Sequence, residues 1–126
     1  MTSAYYQGVM AECDAQIAIE AAKHAKYEQL CNLIAQLCST ISSVQTAMTN
    51  CENKFLNGGY RTGGKSLSDG TLPKEADKLN ETKEHLETSQ KKSHLKMVEI
   101  TEKIKVLQSQ RAAAEAAYLS AKARGE

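Results

Sequence analysis

Residues 57–73 read Asn57-Gly58-Gly59-Tyr60-Arg61-Thr62-Gly63-Gly64-Lys65-Ser66-Leu67-Ser68-Asp69-Gly70-Thr71-Leu72-Pro73, and they hold five of the chain's seven glycines and its only proline. Glycine and proline are the strongest local breakers of regular structure. Before this stretch lie more than fifty residues with Gly8 alone, and after it about fifty with none until Gly125. The pattern predicts helix, Gly-rich connection, helix. The first helix is expected over residues 3–56, the connection over 57–73 and the second helix over 74–123, in one domain of residues 1–126. Ser3 is a candidate N-cap. Asn57 and Gly58 suit a helix end because both tolerate the left-handed conformation. Pro73 suits the first turn of the second helix, where its missing N–H would be unpaired anyway.

Working outward, both flanks carry a seven-residue apolar repeat. Tyr6, Cys13, Glu20, Tyr27, Ile34, Ile41, Met48 and Phe55 form one row of the first segment. Met10, Ile17, His24, Cys31 and Cys38 form a companion row, which is expected to give way to Leu30, Leu37, Val44 and Cys51. In the second segment Leu79, Leu86, Ser93, Ile100, Leu107 and Ala114 form one row, with Met97, Ile104 and Tyr118 beside it. Sustained heptads argue for helices packed side by side, and a short connection makes neighbours antiparallel. The expected fold is all-α, a long antiparallel two-helix hairpin of coiled-coil type. Glu20 and Arg111 are the lone charges in facing rows, and a charge in a seam is costly unless paired. They are therefore expected to form a register pair, with opposed residue numbers adding to about 130.

Charge and composition limit the function classes. Sixteen basic and 15 acidic side chains leave a net charge of +1, which provides no field for collecting nucleic acid or an anionic membrane. Residues 74–105 interleave eight lysines with seven acids, the pattern of a solvated helix face, with Glu87–Lys91 and Glu99–Lys103 in the favourable order. No basic segment followed by an apolar core opens the sequence, so a cleavable signal peptide is not expected. No apolar run approaches the length of a membrane span. Asn80-Glu81-Thr82 fits a glycosylation sequon but has no meaning without such a signal.

Candidate chemistry is thin. Gly59 to Ser66 fits G-x-x-x-x-G-K-[ST] letter for letter. A phosphate-binding loop follows a buried strand and opens into a helix, whereas Asn53-Lys54-Phe55-Leu56-Asn57 precedes this one and Gly70 follows within a turn. No nucleotide or other cofactor is expected. Cys13, Cys31, Cys38 and Cys51 all lie in the first helix, too far apart for a disulfide within the hairpin or for a shared zinc. Buried reduced thiols are the expectation, with bridging between chains and metal binding as alternatives. His24 is expected at the seam edge, with His85 and His94 on the polar face. No catalytic residues are expected.

What remains is binding. The apolar stripes of residues 27–38 and 95–107 are wider than the two-in-seven seam that a helix pair covers. Tyr27, Leu30, Leu33, Ile34, Leu37, Leu95, Met97, Val98 and Ile104 are the candidate partner-binding residues. Two helices enclose no core between layers, so the excess calls for another layer, either a second copy or a different helical protein.

The layout resembles the WXG100-like superfamily of type VII secretion, whose members are small, signal-less, Ala- and Gln-rich helical hairpins with a glycine-bearing turn. Within it the chain looks most like the accessory subunits that accompany LXG toxins. The W-x-G turn would fall at Asn57-Gly58-Gly59-Tyr60, where Gly58, Gly59 and Tyr60 remain and tryptophan is absent. The family's Y-x-x-x-[DE] signal would fall at Tyr118, with Lys122 in place of the acid. The resemblance implies a protein that binds the helical N-terminal domain of such a toxin. It would reside in the cytoplasm or leave without a cleavable signal together with that partner. A structural coiled-coil adaptor, or a self-associating bundle subunit unrelated to secretion, is the alternative.

Overall fold

The computed structural model describes residues 1–58 and 71–126, with the side chains of 1–54 and 74–126. Two helices account for nearly all of them: α1 over Ser3–Gly58 and α2 over Thr71–Ala123. They pack against each other, and no strand is present among the described residues. The fold is an all-α helical hairpin. Gly58 is the last residue of α1, while Gly59, Tyr60 and the Gly59–Ser66 motif lie outside the described residues. The second helix begins at Thr71, three residues before the expected boundary. Pro73 is thus inside its first turn, where the absent N–H costs no intrahelical bond. No helix among the described residues is long and apolar enough to cross a membrane.

The free ends of the helices are closed by backbone geometry. Thr2, not Ser3, is the N-cap of α1: its Oγ1 accepts from the Tyr5 N–H at 3.3 Å and its carbonyl from the same N–H at 3.1 Å. Ser3 is already the first helical residue. At the end of α2, Gly125 has a φ of 78°. Its N–H donates to Lys122 O at 3.1 Å and the Glu126 N–H donates to Ala121 O at 2.9 Å. This pairing is the Schellman motif, and it requires a residue that enters the left-handed region without strain. The Ser3 N–H also donates to Glu126 O at 3.3 Å, which ties the two ends of the described chain together.

The hairpin comprises two compact units: residues Met1–Gln29 with Ser93–Glu126, and residues Leu30–Lys92. In the first, Cys13, Ile100, Ala114 and Ala121 are buried, and Tyr6, Met10, Ile17, Met97, Ile104 and Leu107 are half-buried beside them. Tyr6 lines a small surface cleft together with Ala113 and Ala114. In the second, Cys31 and Ile34 are buried, with Cys38, Ile41, Met48, Leu79 and Leu86 half-buried. Both units follow the expected heptad rows of α2 and the first row of α1 from Tyr6 to Met48; the Phe55 side chain lies outside the described residues.

The companion row of α1 departs from expectation. It does not pass to Leu30, Leu37, Val44 and Cys51, all of which are exposed. It continues in strict heptad spacing to Gln45 and Glu52, both half-buried. Moving one residue along a helix turns the inward direction by about 100°, so a hand-over would carry the buried face off the partner helix. Gln45 is accommodated because its amide donates to Asn80 Oδ1 at 2.8 Å.

The Glu20–Arg111 register pair is not formed. Arg111 donates through Nε to Asp14 Oδ1 at 2.7 Å and through Nη1 to Glu115 Oε2 at 3.1 Å. Glu20 accepts from Lys23 at 3.3 Å. Gln7 donates to Tyr118 and Asp14 accepts from Arg111 in the first unit, and the residue numbers of each pair add to 125. Gln45–Asn80 and Ser42–Lys83 give the same value in the second. Asp14 is six residues from Glu20, about 9 Å along a helix. The cause is packing. Buried and half-buried apolar rows recur in both units, whereas one partly exposed ion pair is weak in water and does not set the register against them.

The Asp14 hydrogen bond, and then the Asp14 charge, raise the Arg111 guanidinium above its ordinary value; partial desolvation opposes this and Glu115 adds a smaller push upward. A raised cation contributes stability that is present at every pH below that ordinary value and is lost only in strong alkali. Reversing the pair tests the register. Asp14→Arg and Arg111→Asp should each lower the melting temperature, and the double swap should recover part of the loss. The corresponding cycle between Glu20 and Arg111 should be additive. Coupling in the Glu20 cycle and none in the Asp14 cycle would restore the expected register.

Candidate partner-binding surface

The candidate binding residues divide by depth. Ile34 is buried, and Tyr27, Met97 and Ile104 are half-buried in the rows that close the hairpin. They hold the helices together and are not free for a partner. Leu30, Leu33 and Leu37 are 42%, 57% and 51% exposed, and Leu95 and Val98 are 65% and 60% exposed. The excess width of the two stripes is therefore their outer half. With opposed numbers adding to 125 within each unit, Leu33 is level with Lys92 in the second and Val98 with Tyr27 in the first.

In the first unit the free apolar surface forms a groove of about 720 Å³ between the helices. Val98, Val106 and Leu107 supply its apolar part. Gln16, Glu20, Glu99, Glu102, Lys103 and Gln110 complete the lining. Val106 is 56% exposed and was not among the residues singled out from the sequence. Its signal was present, since it stands beside Leu107 within the stripe of residues 95–107.

Glu20 is the unusual member of the groove. Its side chain is 15% exposed, and while Oε1 accepts from Lys23 at 3.3 Å, Oε2 is buried with no hydrogen-bond partner. A buried oxygen without a donor forfeits the full desolvation cost of the group. On the neighbouring surface, His24 lines a smaller cleft of about 360 Å³ with Ala21, Thr101, Ile104, Lys105 and Gln108. His85 and His94 are exposed, on the polar face.

Among the described residues of the second unit, the large exposed apolar side chains lie on α1. Leu30, Leu37, Val44 and Cys51 repeat every seven residues, and Leu33, Thr40 and Ala47 repeat beside them, all exposed. This is a second heptad seam, separate from the one that closes the hairpin. The water-facing side of α2 in this unit differs. Lys78–Glu75 at 3.4 Å is among its short-range ion pairs, as are Lys96–Glu99 at 3.3 Å and Lys105–Glu102 at 3.5 Å on α2 in the first unit. Such exposed pairs contribute little to stability, and they use i, i+3 spacing, so Glu99 meets Lys96 and not Lys103.

All four cysteines are free thiols, with Cys13 and Cys31 buried, Cys38 half-buried and Cys51 exposed. Cys31 Sγ points toward Gln90 O at 4.0 Å, and Gln90 Nε2 donates to Cys31 O at 3.3 Å. Among the described residues no three His, Cys, Asp or Glu side chains converge on a point where a metal ion could bind. Comparison with known protein families, with curated proteins and with solved structures returns no match.

Proposed function

We propose that this chain is a non-enzymatic helical binding protein whose first-unit groove receives a helix of another protein. In this role it acts as an accessory or targeting subunit for the helical N-terminal domain of an LXG-type toxin of type VII secretion. The single observation that carries the binding role is the groove itself, an apolar trough with Val98 and Val106 exposed between two helices and an ionic rim of Glu99, Glu102 and Lys103. A partner helix laid there would bury the valines and complete a three-helix layer. The rim charges would set its orientation and register, as flanking charges do between paired helices. The secretion role is supported by the hairpin layout and by the sequence Asn57-Gly58-Gly59-Tyr60 between the helical segments. A structural coiled-coil adaptor uses the same groove, and the identity of the bound helix separates the two.

The test is direct binding of the purified chain to the helical domain of an LXG toxin encoded beside it, followed by calorimetry. Binding of the unaltered chain, weakened at least about tenfold by Val98→Glu with Val106→Glu, is the expected result. Absence of binding to any such domain would overturn the secretion role. Binding that ignores both valine substitutions would overturn the groove.

A further inference from the structure

Residues 29–51 of α1 contain no Asp, Glu, Lys, Arg or His. Residues 74–92 of α2, in the same unit as residues 30–51, hold five lysines and five acids. The uncharged stretch is not buried on all sides, for Leu30, Leu33, Leu37 and Val44 face water. Long helices keep their water-facing side charged, and this one lacks any charge over six turns while carrying a second heptad seam.

We propose that this seam is closed by a second copy of the same chain, α1 against α1 and antiparallel. Three features converge on that occupant. The seven-residue repeat of Leu30, Leu37, Val44 and Cys51 fits another helix at a shallow crossing angle and not a strand or a flat surface. A twofold interface then sets the same patch against itself, so any charge in it would meet its like near the axis. The flanking row of Gln29, Gln36, Ser43 and Asn50 is exposed and neutral, which permits self-pairing and offers no charge code for selecting a different helix.

Side-chain size decides the direction. The seam is bulky at Leu30 and Leu33 and small at Ala47 and Cys51. An antiparallel copy sets Leu30 on Cys51, Leu33 on Ala47 and Leu37 on Val44, with Thr40 near the axis. The helices then stay at an even separation and pack without voids. A parallel copy would stack leucine on leucine at one end and alanine on alanine at the other. This surface belongs to the second unit and does not depend on the partner groove of the first.

Sedimentation of the full chain over a wide concentration range tests the proposal. The unaltered protein should be a dimer. Leu33→Glu with Leu37→Glu should raise its dissociation constant at least about a hundredfold, because each substitution removes buried apolar surface on both sides of the axis. Gln36→Glu with Ser43→Glu, which leaves the apolar seam intact and sets a carboxylate of each copy opposite one of the other, should weaken the dimer with helix content unchanged. Val98→Glu with Val106→Glu should leave the dimer as it is. Mild oxidation of Leu30→Cys should give a covalent dimer whose bridge runs to Cys51 of the second copy, mapped by mass spectrometry. A monomer at every concentration would overturn the proposal, as would a dimer indifferent to the Leu33, Leu37, Gln36 and Ser43 changes. A Cys51–Cys51 bridge as the main oxidised species would overturn the antiparallel direction.

Discussion

Ile34→Ala and Ile100→Ala should each destabilise the chain by about 2–5 kcal/mol, the range for removing three carbons from a buried isoleucine and leaving a cavity. Both residues are 4% exposed, and each is the largest fully apolar side chain among the buried residues of its unit. The neighbouring rows cannot compensate. Cys31, Ser93, Ala114 and Ala121 are the other buried groups near them in sequence or along the seam, and all are small. Leu33→Ala, one position from Ile34 but 57% exposed, should change the stability of the dilute chain by no more than about 0.5 kcal/mol. Denaturant unfolding monitored by circular dichroism gives the three values. Hydrogen exchange should place the loss from Ile34→Ala within residues 30–92 and the loss from Ile100→Ala within the first unit. Equal losses at Leu33 and Ile34 would mean that the seam has been placed on the wrong side of α1.

The contrast between Leu33 and Ile34 also marks what the sequence could and could not reveal. Glycine clustering between residues 57 and 73 located the break, and the rows Tyr6–Met48 and Leu79–Ala114 located the seam, because a period of seven leaves little freedom for which side chains point inward. The sequence was silent on register. Sliding one helix by a heptad preserves every apolar row, so the choice among slides falls to how the sizes of opposed side chains fit, a small difference to detect in a string of letters. The Glu20–Arg111 expectation failed for that reason: a charge pair was given the weight that belongs to repeated apolar layers. The switch from Cys38 to Leu37 failed for a related one. A leucine is more apolar than a glutamine, so hydrophobicity alone favours Leu30, Leu37 and Val44, whereas the helix follows its spacing and half-buries Gln45, whose amide donates to Asn80. The absence of charge over residues 29–51 was legible from the start. Its meaning required knowing which face of α1 stays wet.

Glu20→Leu should raise the stability of the isolated chain and weaken its binding to a partner helix. In the hairpin Glu20 occupies a seam position, with Oε2 buried and unbonded and Lys23 at 3.3 Å from Oε1. Leucine at that position would join Ile17, Ile104 and Leu107, and replacing a poorly compensated buried charge by a fitted apolar side chain gains about 1–3 kcal/mol. Glu20→Gln should gain less, because it removes the charge but keeps a buried polar end. A residue that lowers the stability of its own fold at a seam position is expected where function requires it. Glu20 lines the groove with Val98 and Val106, and rotation of its carboxylate would offer the unbonded oxygen to a lysine or arginine of an incoming helix. In calorimetry against a helical partner, Glu20→Leu should therefore lose at least about tenfold in affinity while its melting temperature rises, and Glu20→Gln should lose an intermediate amount. A variant that is stabilised and binds as tightly as the unaltered chain would show that Glu20 serves neither the partner nor the fold. A variant that is destabilised would show that Glu20 already has a donor within the hairpin.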